Sequence, residues 1–435
     1  MSPTGARLRR WQGITLSTLT GGYIAYYFCR SNLAVASPLL LEEFGPAGLD
    51  KTKLGAIVSA GVLLYAVGKL VMGTLTDFVG GRGVFFGGLL ASAAATVFFG
   101  FGSGAGAFTL AWALNRFFQS GGWGALVKVA SHWYAPRRLG TVMGVLALSY
   151  PLGDFFAKLS LGTAIAHGAG WRHVFFAAAG VAAVTSIGVR ALLRESPRDV
   201  GEAEPPTAER SVYGDRASDS RPASLRALLG PLVRSPAFLC VCAMSFGLTV
   251  IRETFSFWTP VYLVETTGAS SGTAAQLASA FPLFGGVSVL AAGYASDRFA
   301  GGRRAGVMIV FLVVSTLGIL ALALAPSWPT PAVPVACIAL IGAAMTGPYA
   351  FLSGAVAIDL GGRLGSSTAA GLADAVGYVG GALAGVVVGG LAERFGWSAA
   401  FFLLAALSTL TVVAAVGYRL LHERIAPGHT VVRAP

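Results

Sequence analysis

Apolar runs of about twenty residues recur along almost the whole chain, and they constrain its fold more than any other feature. A helix needs about 20 apolar residues to cross a hydrocarbon core about 30 Å thick, and its backbone must satisfy its own hydrogen bonds there. Twelve such spans are expected, near residues 12–40, 52–76, 84–103, 107–130, 139–166, 171–193, 236–264, 272–297, 305–325, 331–358, 366–392 and 397–420. Between the sixth and seventh lies RESPRDVGEAEPPTAERSVYGDRASDSRP, rich in Pro, Ser and charge and without an apolar period, which reads as a linker. The expected fold is an all-α membrane protein: a six-helix bundle at 1–193, a linker at 194–230, a second six-helix bundle at 231–425 and a tail at 426–435.

Composition agrees, with 55% hydrophobic and 11% charged residues against about 25% charged in a soluble domain. The formal charge of +12 sits mainly on arginines between spans, a topology signal that argues against nucleic-acid binding. Arg7, Arg9, Arg10, Arg82, Arg137, Arg138, Arg298, Arg303, Arg304, Arg363, Arg419 and Arg424 fall on one side if every span crosses. The other side holds Glu42, Glu43, Asp50 and Glu265 with a few cations such as Lys51 and Arg172. Both termini and the linker are therefore expected in the cytoplasm, in a multi-pass protein of the inner (plasma) membrane. No small-residue cleavage site follows Arg10, so the first span is expected to be retained. Cys29, Cys240, Cys242 and Cys337 lie in apolar segments and read as packing residues. His132, His167 and His173 lack metal-ligand spacing, and no nucleotide motif appears, so no metal or cofactor is expected. The glycine runs GGLLAS and GGALAGVVVGG read as surfaces for close helix packing.

The two halves repeat. RSNLAVASPLLLEE begins at Arg30 and RETFSFWTPVYLVE at Arg252; each has a proline eight residues on (Pro38, Pro260) and a glutamate thirteen on (Glu43, Glu265). GTLTDFVGGR carries Gly73 and Asp77, GYASDRFAGGRR carries Gly293 and Asp297, and GW pairs recur at 170–171 and 396–397. Parallel repeats of this kind place a substrate site at the midplane between the halves. An arginine inside a membrane helix is costly and faces a partner or a watery cavity. Arg30 and Arg252, at equivalent places in the first helix of each half, are therefore expected to converge as a clamp for an anion, whose oxygens suit the planar guanidinium fork. Glu253 is a poor expected partner for Arg252, because residues i and i+1 point different ways on a helix.

The motif after the second span resembles the loop signature of the major facilitator superfamily. More narrowly, GGYIAYYFCRSNLAVASP, YAVGKLVMGTLTD, SSTAAGLADAVGYVGG and WTPVYL resemble the organophosphate:phosphate antiporter family of glycerol-phosphate and hexose-phosphate transporters. That resemblance implies that Lys69 lines the substrate path and that Tyr23, Tyr27, Tyr65, Trp123 and Tyr378 ring the site. The alternatives are an interfacial lysine and simple aromatic packing. Ser149 stands where the glycerol-phosphate branch has a histidine, and Phe257 where an acidic residue is common. Asp154, Glu253 and Asp374 are carboxylates where the family is usually neutral, and each is a candidate coupling group. Asp154 lies one turn before Lys158 and reads as a self-neutralised pair or a coupling group. Asp374 has no companion within its turn; it reads equally as a proton-coupling site or as a counter-ion for Arg30, Arg252 or Lys69. Gly73, Asp77, Arg82 and Asp297 read as a latch at the cytoplasmic helix ends, and Trp258 as structural.

The expected function is secondary transport, not catalysis: a small anionic substrate such as a sugar phosphate, glycerol phosphate or phosphoglycerate, exchanged for inorganic phosphate by a monomer in the lipid bilayer. Proton-coupled symport of an organic acid and a sugar-phosphate membrane sensor are the alternatives.

Overall fold

The computed structural model describes residues 3–134, 142, 144–203, 232–299, 304–325, 328, 330–352 and 356–423. Among them every regular element is helical. The first half contains α1 (Pro3–Phe44), α2 (Lys51–Val79), α3 (Gly81–Gly100), α4 (Ala105–Gln119), α5 (Gly121–Trp133), α6 (Ser149–Ala166) and α7 (Trp171–Leu192). The second contains α8 (Pro236–Thr267), α9 (Ser271–Leu277), α10 (Ala280–Phe299), α11 (Ala305–Leu324), α12 (Ala332–Phe351) and α13 (Ala357–Tyr418). The described parts of the twelve expected spans lie overwhelmingly in helix, the fourth split as α4 and α5 and the eighth as α9 and α10. Of the expected linker, residues 204–230 lie outside the described residues.

Among the described residues, eight helical stretches are long and apolar enough to cross a membrane. Outside that set fall α1, α4, α5 and α6, three of which carry Arg30, Arg116, and Asp154 with Lys158. In α1 and α6 the charged cargo lowers the apolarity, whereas α4 and α5, at 15 and 13 residues, are the two pieces of one expected span and are each too short to cross alone. The 62 residues of α13 would reach about 93 Å if straight, three bilayer cores. Gly396, at φ +78°, breaks the run where only glycine is at ease. The chain doubles back there, since Gly377 closes on Ser245 and Thr249 of α8 while Gly247 of α8 closes on Thr411. The last two expected spans thus form a hairpin within one helical run.

The repeat seen in sequence is a repeat of contacts. The Trp171 indole donates to Glu43 and the Trp397 indole to Glu265, each at 2.7 Å. These lie at the face that carries residues 45–50 and 268–270, the loop face. At the opposite, terminal face, Glu195 accepts the backbone N–H groups of Gly81 and Arg82 at 2.8 and 2.6 Å. Glu423 does the same for Arg304 and Ala305 at 2.7 and 2.9 Å. Each carboxylate satisfies orphan donors at a helix start and meets the positive end of its dipole.

Lipid offers no hydrophobic drive between helices, so small residues and hydrogen bonds make the contacts. Gly55 of α2 and Gly385 of α13 meet backbone to backbone, where a Cβ on either would collide with the other's carbonyl oxygen. Beside them the Ser59 hydroxyl donates to the Ala382 carbonyl and accepts from the Val386 N–H at 3.1 Å. Gln276 of α9 donates to Thr163 of α6 at 2.9 Å. Lys51 reaches Glu265 at 3.1 Å and Glu393 at 3.7 Å. These contacts all join the two halves toward the loop face. The larger core runs across both halves, from Leu33 and Trp112 to Trp258 and Phe401; a second, around Tyr26, Phe85 and Trp133, belongs to the first half.

Candidate functional site

Between the halves lies a cavity lined by residues of α1, α2, α4 and α6 from the first half and of α8, α10 and α12 from the second. Arg30 from α1 and Arg252 from α8 both line it, as the repeat predicts. Their side chains are each 14% exposed. Arg30 lies over the rings of Tyr27 and Tyr65, its guanidinium carbon 5.4 and 4.9 Å from their centroids. Arg252 lies 4.6 Å over Tyr349. Such contacts are worth about 0.5–2 kcal/mol each and leave the charge in need of an anion.

Glu253 overturns one expectation. Its Oε1 stands 2.5 Å from Arg252 Nη2 and 4.0 Å from Arg30 Nη2. Neighbouring positions on a helix diverge, but the long arginine side chain curls back over that divergence. A guanidinium shielded from water gains more from a carboxylate in reach than it loses in rotamer freedom. The arginine Nε remains buried without a partner, so the pairing is one-sided.

Asp154 is the self-neutralised pair: Lys158, wholly buried, donates to Oδ2 at 3.0 Å, and the Ser31 hydroxyl donates to Oδ1 at 2.5 Å. Lys69 and Asp374 meet across the halves at 3.6 Å, each side chain 32% exposed, so the cation beside Asp374 is Lys69 rather than Arg30 or Arg252. Lys69 also lies over Tyr378 and Tyr65 at 4.7 and 5.6 Å. Tyr65 and Tyr378 pack together at 5.4 Å, and with Lys69 they form a shelf beside the cavity rather than its wall.

Other expected members stand back. Tyr23 packs against Trp123 at 5.4 Å and against Tyr27 at 5.8 Å, and neither Tyr23 nor Trp123 lines the cavity. Ser149 is fully buried, its hydroxyl donates to the Leu146 carbonyl, and it does not line the cavity. Arg82 donates to the Arg190 carbonyl at 2.9 Å and belongs to the α3 cap. The side chains of Gly73, Asp77 and Asp297, the rest of the expected latch, lie outside the described residues. Trp258 is buried against Phe257 and Trp397, as a structural residue should be.

Sequence reasoning missed Arg116, Tyr150 and Tyr349. Arg116, in ALNRFFQ, lines the cavity and is 3% exposed, its guanidinium 4.8 Å over Tyr65. The signal was available: the argument that singles out Arg30, an arginine inside an apolar span, applies equally to it. The tyrosines carried no such mark.

The profile of the Major Facilitator Superfamily matches residues 19–276 and 262–433. The chain belongs to that superfamily. Its fold and kin are those of membrane transporters, not enzymes. The chain is 28% identical to the "Probable hexose phosphate transport protein" of Chlamydia muridarum (strain MoPn / Nigg), over 93% of this chain and 90% of that protein. It is 29% identical to the "Glycerol-3-phosphate transporter" of Bacillus subtilis (strain 168), over 90% and 88%. It is 27% identical to the "Membrane sensor protein UhpC" of Escherichia coli (strain K12), over 92% and 90%. Among solved structures, a bacterial homolog of the human lysosomal transporter Spinster superposes with a TM-score of 0.75 over 96% of this chain and 99% of that one, at 16% identity. These relatives agree with the organophosphate:phosphate antiporter resemblance, and the solved structure with the superfamily's fold.

Proposed function

We propose that the chain is a secondary carrier of phosphorylated small molecules, exchanging a sugar phosphate, glycerol phosphate or phosphoglycerate for inorganic phosphate by alternating access. The observation that carries this reading is the convergence of Arg30 and Arg252, repeat-related residues of opposite halves, on one cavity. The relatives that are named for hexose phosphate and glycerol 3-phosphate support the substrate class. The arginine-bearing terminal face is cytoplasmic, by the bias of Arg82, Arg190, Arg194, Arg198, Arg304 and Arg419 against Glu42, Glu43, Asp50 and Glu265. The two halves rock as bodies about the cavity, joined by the segment around 204–230. Exchange follows from charge: three guanidiniums against one carboxylate leave an emptied pocket positive, and closing it would strip water from that charge. A returning phosphate lowers that barrier.

A second reading, proton-coupled symport of an organic acid, draws on the Lys69–Asp374 pair. It bridges the halves at the cavity's edge, and protonating Asp374 would break it. Proteoliposomes separate the two. Exchange gives labelled phosphate efflux triggered by external glucose 6-phosphate and indifferent to a protonophore; symport gives uptake without internal phosphate that a protonophore abolishes. Purified protein that binds and moves neither phosphate nor its esters would remove the first reading. Within it, Arg30→Lys keeps the charge but loses the fork, and lowers exchange about tenfold or more with an unchanged unfolding midpoint. A wild-type rate in that variant would count against the clamp.

A further inference from the structure

We propose that Arg116 is a third substrate-binding guanidinium, and that it sets a preference for anions carrying two charges. This deepens the carrier reading above and rests on it. Arg116 projects from α4 into the cavity, is 97% buried as judged by its 3% exposure, and forms no ion pair among the described residues. A guanidinium cannot shed its proton inside a protein, so the charge persists when the pocket dehydrates. The Tyr65 ring offsets only part of the cost of burying it. The same ring faces Arg30 at 4.9 Å, so Arg30 and Arg116 are brought together around Tyr65.

Arg252 is differently placed, because Glu253 already holds it at 2.5 Å. Asp154 is committed to Lys158 and Ser31. The charges that line the cavity and remain are three guanidiniums and one carboxylate, an excess of two positive charges. A monocarboxylate would match half of that excess. A phosphate monoester, with its second pKa near about 6, carries close to two charges at neutral pH and matches it whole. Arg30 and Arg116 then receive the phosphoryl oxygens, while Glu253 keeps Arg252 neutralised until the substrate arrives.

The test uses the full chain purified in detergent, with calorimetric binding of inorganic phosphate, glucose 6-phosphate and gluconate between pH 5 and 8. Wild type is expected to bind the two phosphates more tightly than gluconate, and to lose affinity as acid protonates them. Arg116→Gln should weaken phosphate binding on the order of ten- to a hundredfold and flatten that pH dependence. Arg116→Lys should fall between. Glu253→Gln added to Arg116→Gln should regain about tenfold, because it frees Arg252; a residue with only a structural role would show no such recovery. Wild-type affinity and pH profile in Arg116→Gln would overturn the proposal, as would a loss that Glu253→Gln leaves untouched. Wild type that binds neither phosphate at millimolar concentration would overturn the carrier reading and this one together. Binding by wild type with an indifferent Arg116→Gln would overturn this one alone.

Discussion

Lys158 is wholly buried on α6, and its charge is tolerable only because Asp154 lies one turn away with Ser31 holding the second oxygen. Removing one partner of a buried pair costs more than removing both, since the survivor is left uncompensated. Asp154→Asn should therefore destabilise the protein by about 3–5 kcal/mol, while Asp154→Asn with Lys158→Met recovers most of the loss. Thermal unfolding in detergent reads both; equal midpoints for the single and double variants would show that the pair is not what secures this helix. Glu253 poses the opposite case. It sits in the cavity wall, accepts from Arg252, and remains near Arg30, so its role is electrostatic balance rather than helix packing.

At the scale of elements, α2 and α13 touch so closely at Gly55 and Gly385 that no side chain fits. Gly55→Ala should cost about 1–3 kcal/mol in the closed arrangement. Spin labels on Ala47→Cys and Ala269→Cys, in loops of opposite halves, should report a larger share of separated distances; an unchanged distribution would mean the glycine pair does not govern closure. The first half is tied differently at the same face. There Glu43 takes Arg172 at 2.9 Å and the Trp171 indole, and the Arg172 bond, aided by Trp171, holds its carboxyl below the ordinary range. A depressed folded pKa contributes stability that is present above the unfolded value, about 4.3, and lost as pH falls through the folded one. The small stability gap between wild type and Glu43→Gln at pH 7 should close below about pH 4, followed by unfolding midpoints across that range.

The whole molecule is closed toward the loop face. Lys51, at the start of α2, spans the gap to Glu265 and Glu393 of the second half. Those carboxylates are 35% and 39% exposed, so screening limits the latch to about 1 kcal/mol. That is enough to shift a balanced two-state equilibrium about fivefold. Lys51→Gln should raise the separated population of the same spin-labelled protein by that order, and high salt should mimic it in wild type but add nothing in the variant. The repeat makes the asymmetry plain. Glu43 and Glu265 are equivalent and both accept a tryptophan indole, yet Glu43 takes a cation from its own half and Glu265 one from the other.

Much of this was legible in the chain. Span positions follow from apolar length, because lipid demands it of any helix that crosses; the repeat follows from landmarks whose partners, Glu43 with Trp171 and Glu265 with Trp397, sit far apart in sequence but recur in order. That Arg30 and Arg252 share a cavity follows from the same symmetry. Only the tertiary structure decided which charges there are already answered. Lys69 finds Asp374 from the other half, Arg252 bends to Glu253, and Arg116 finds no carboxylate among the described residues. Pairing across a buried cavity depends on side-chain reach and on which helices face one another, and neither is a function of spacing along the chain. The sequence by itself therefore determined a two-fold membrane fold with cations at its centre; the packing determined how much of that charge is left for a substrate.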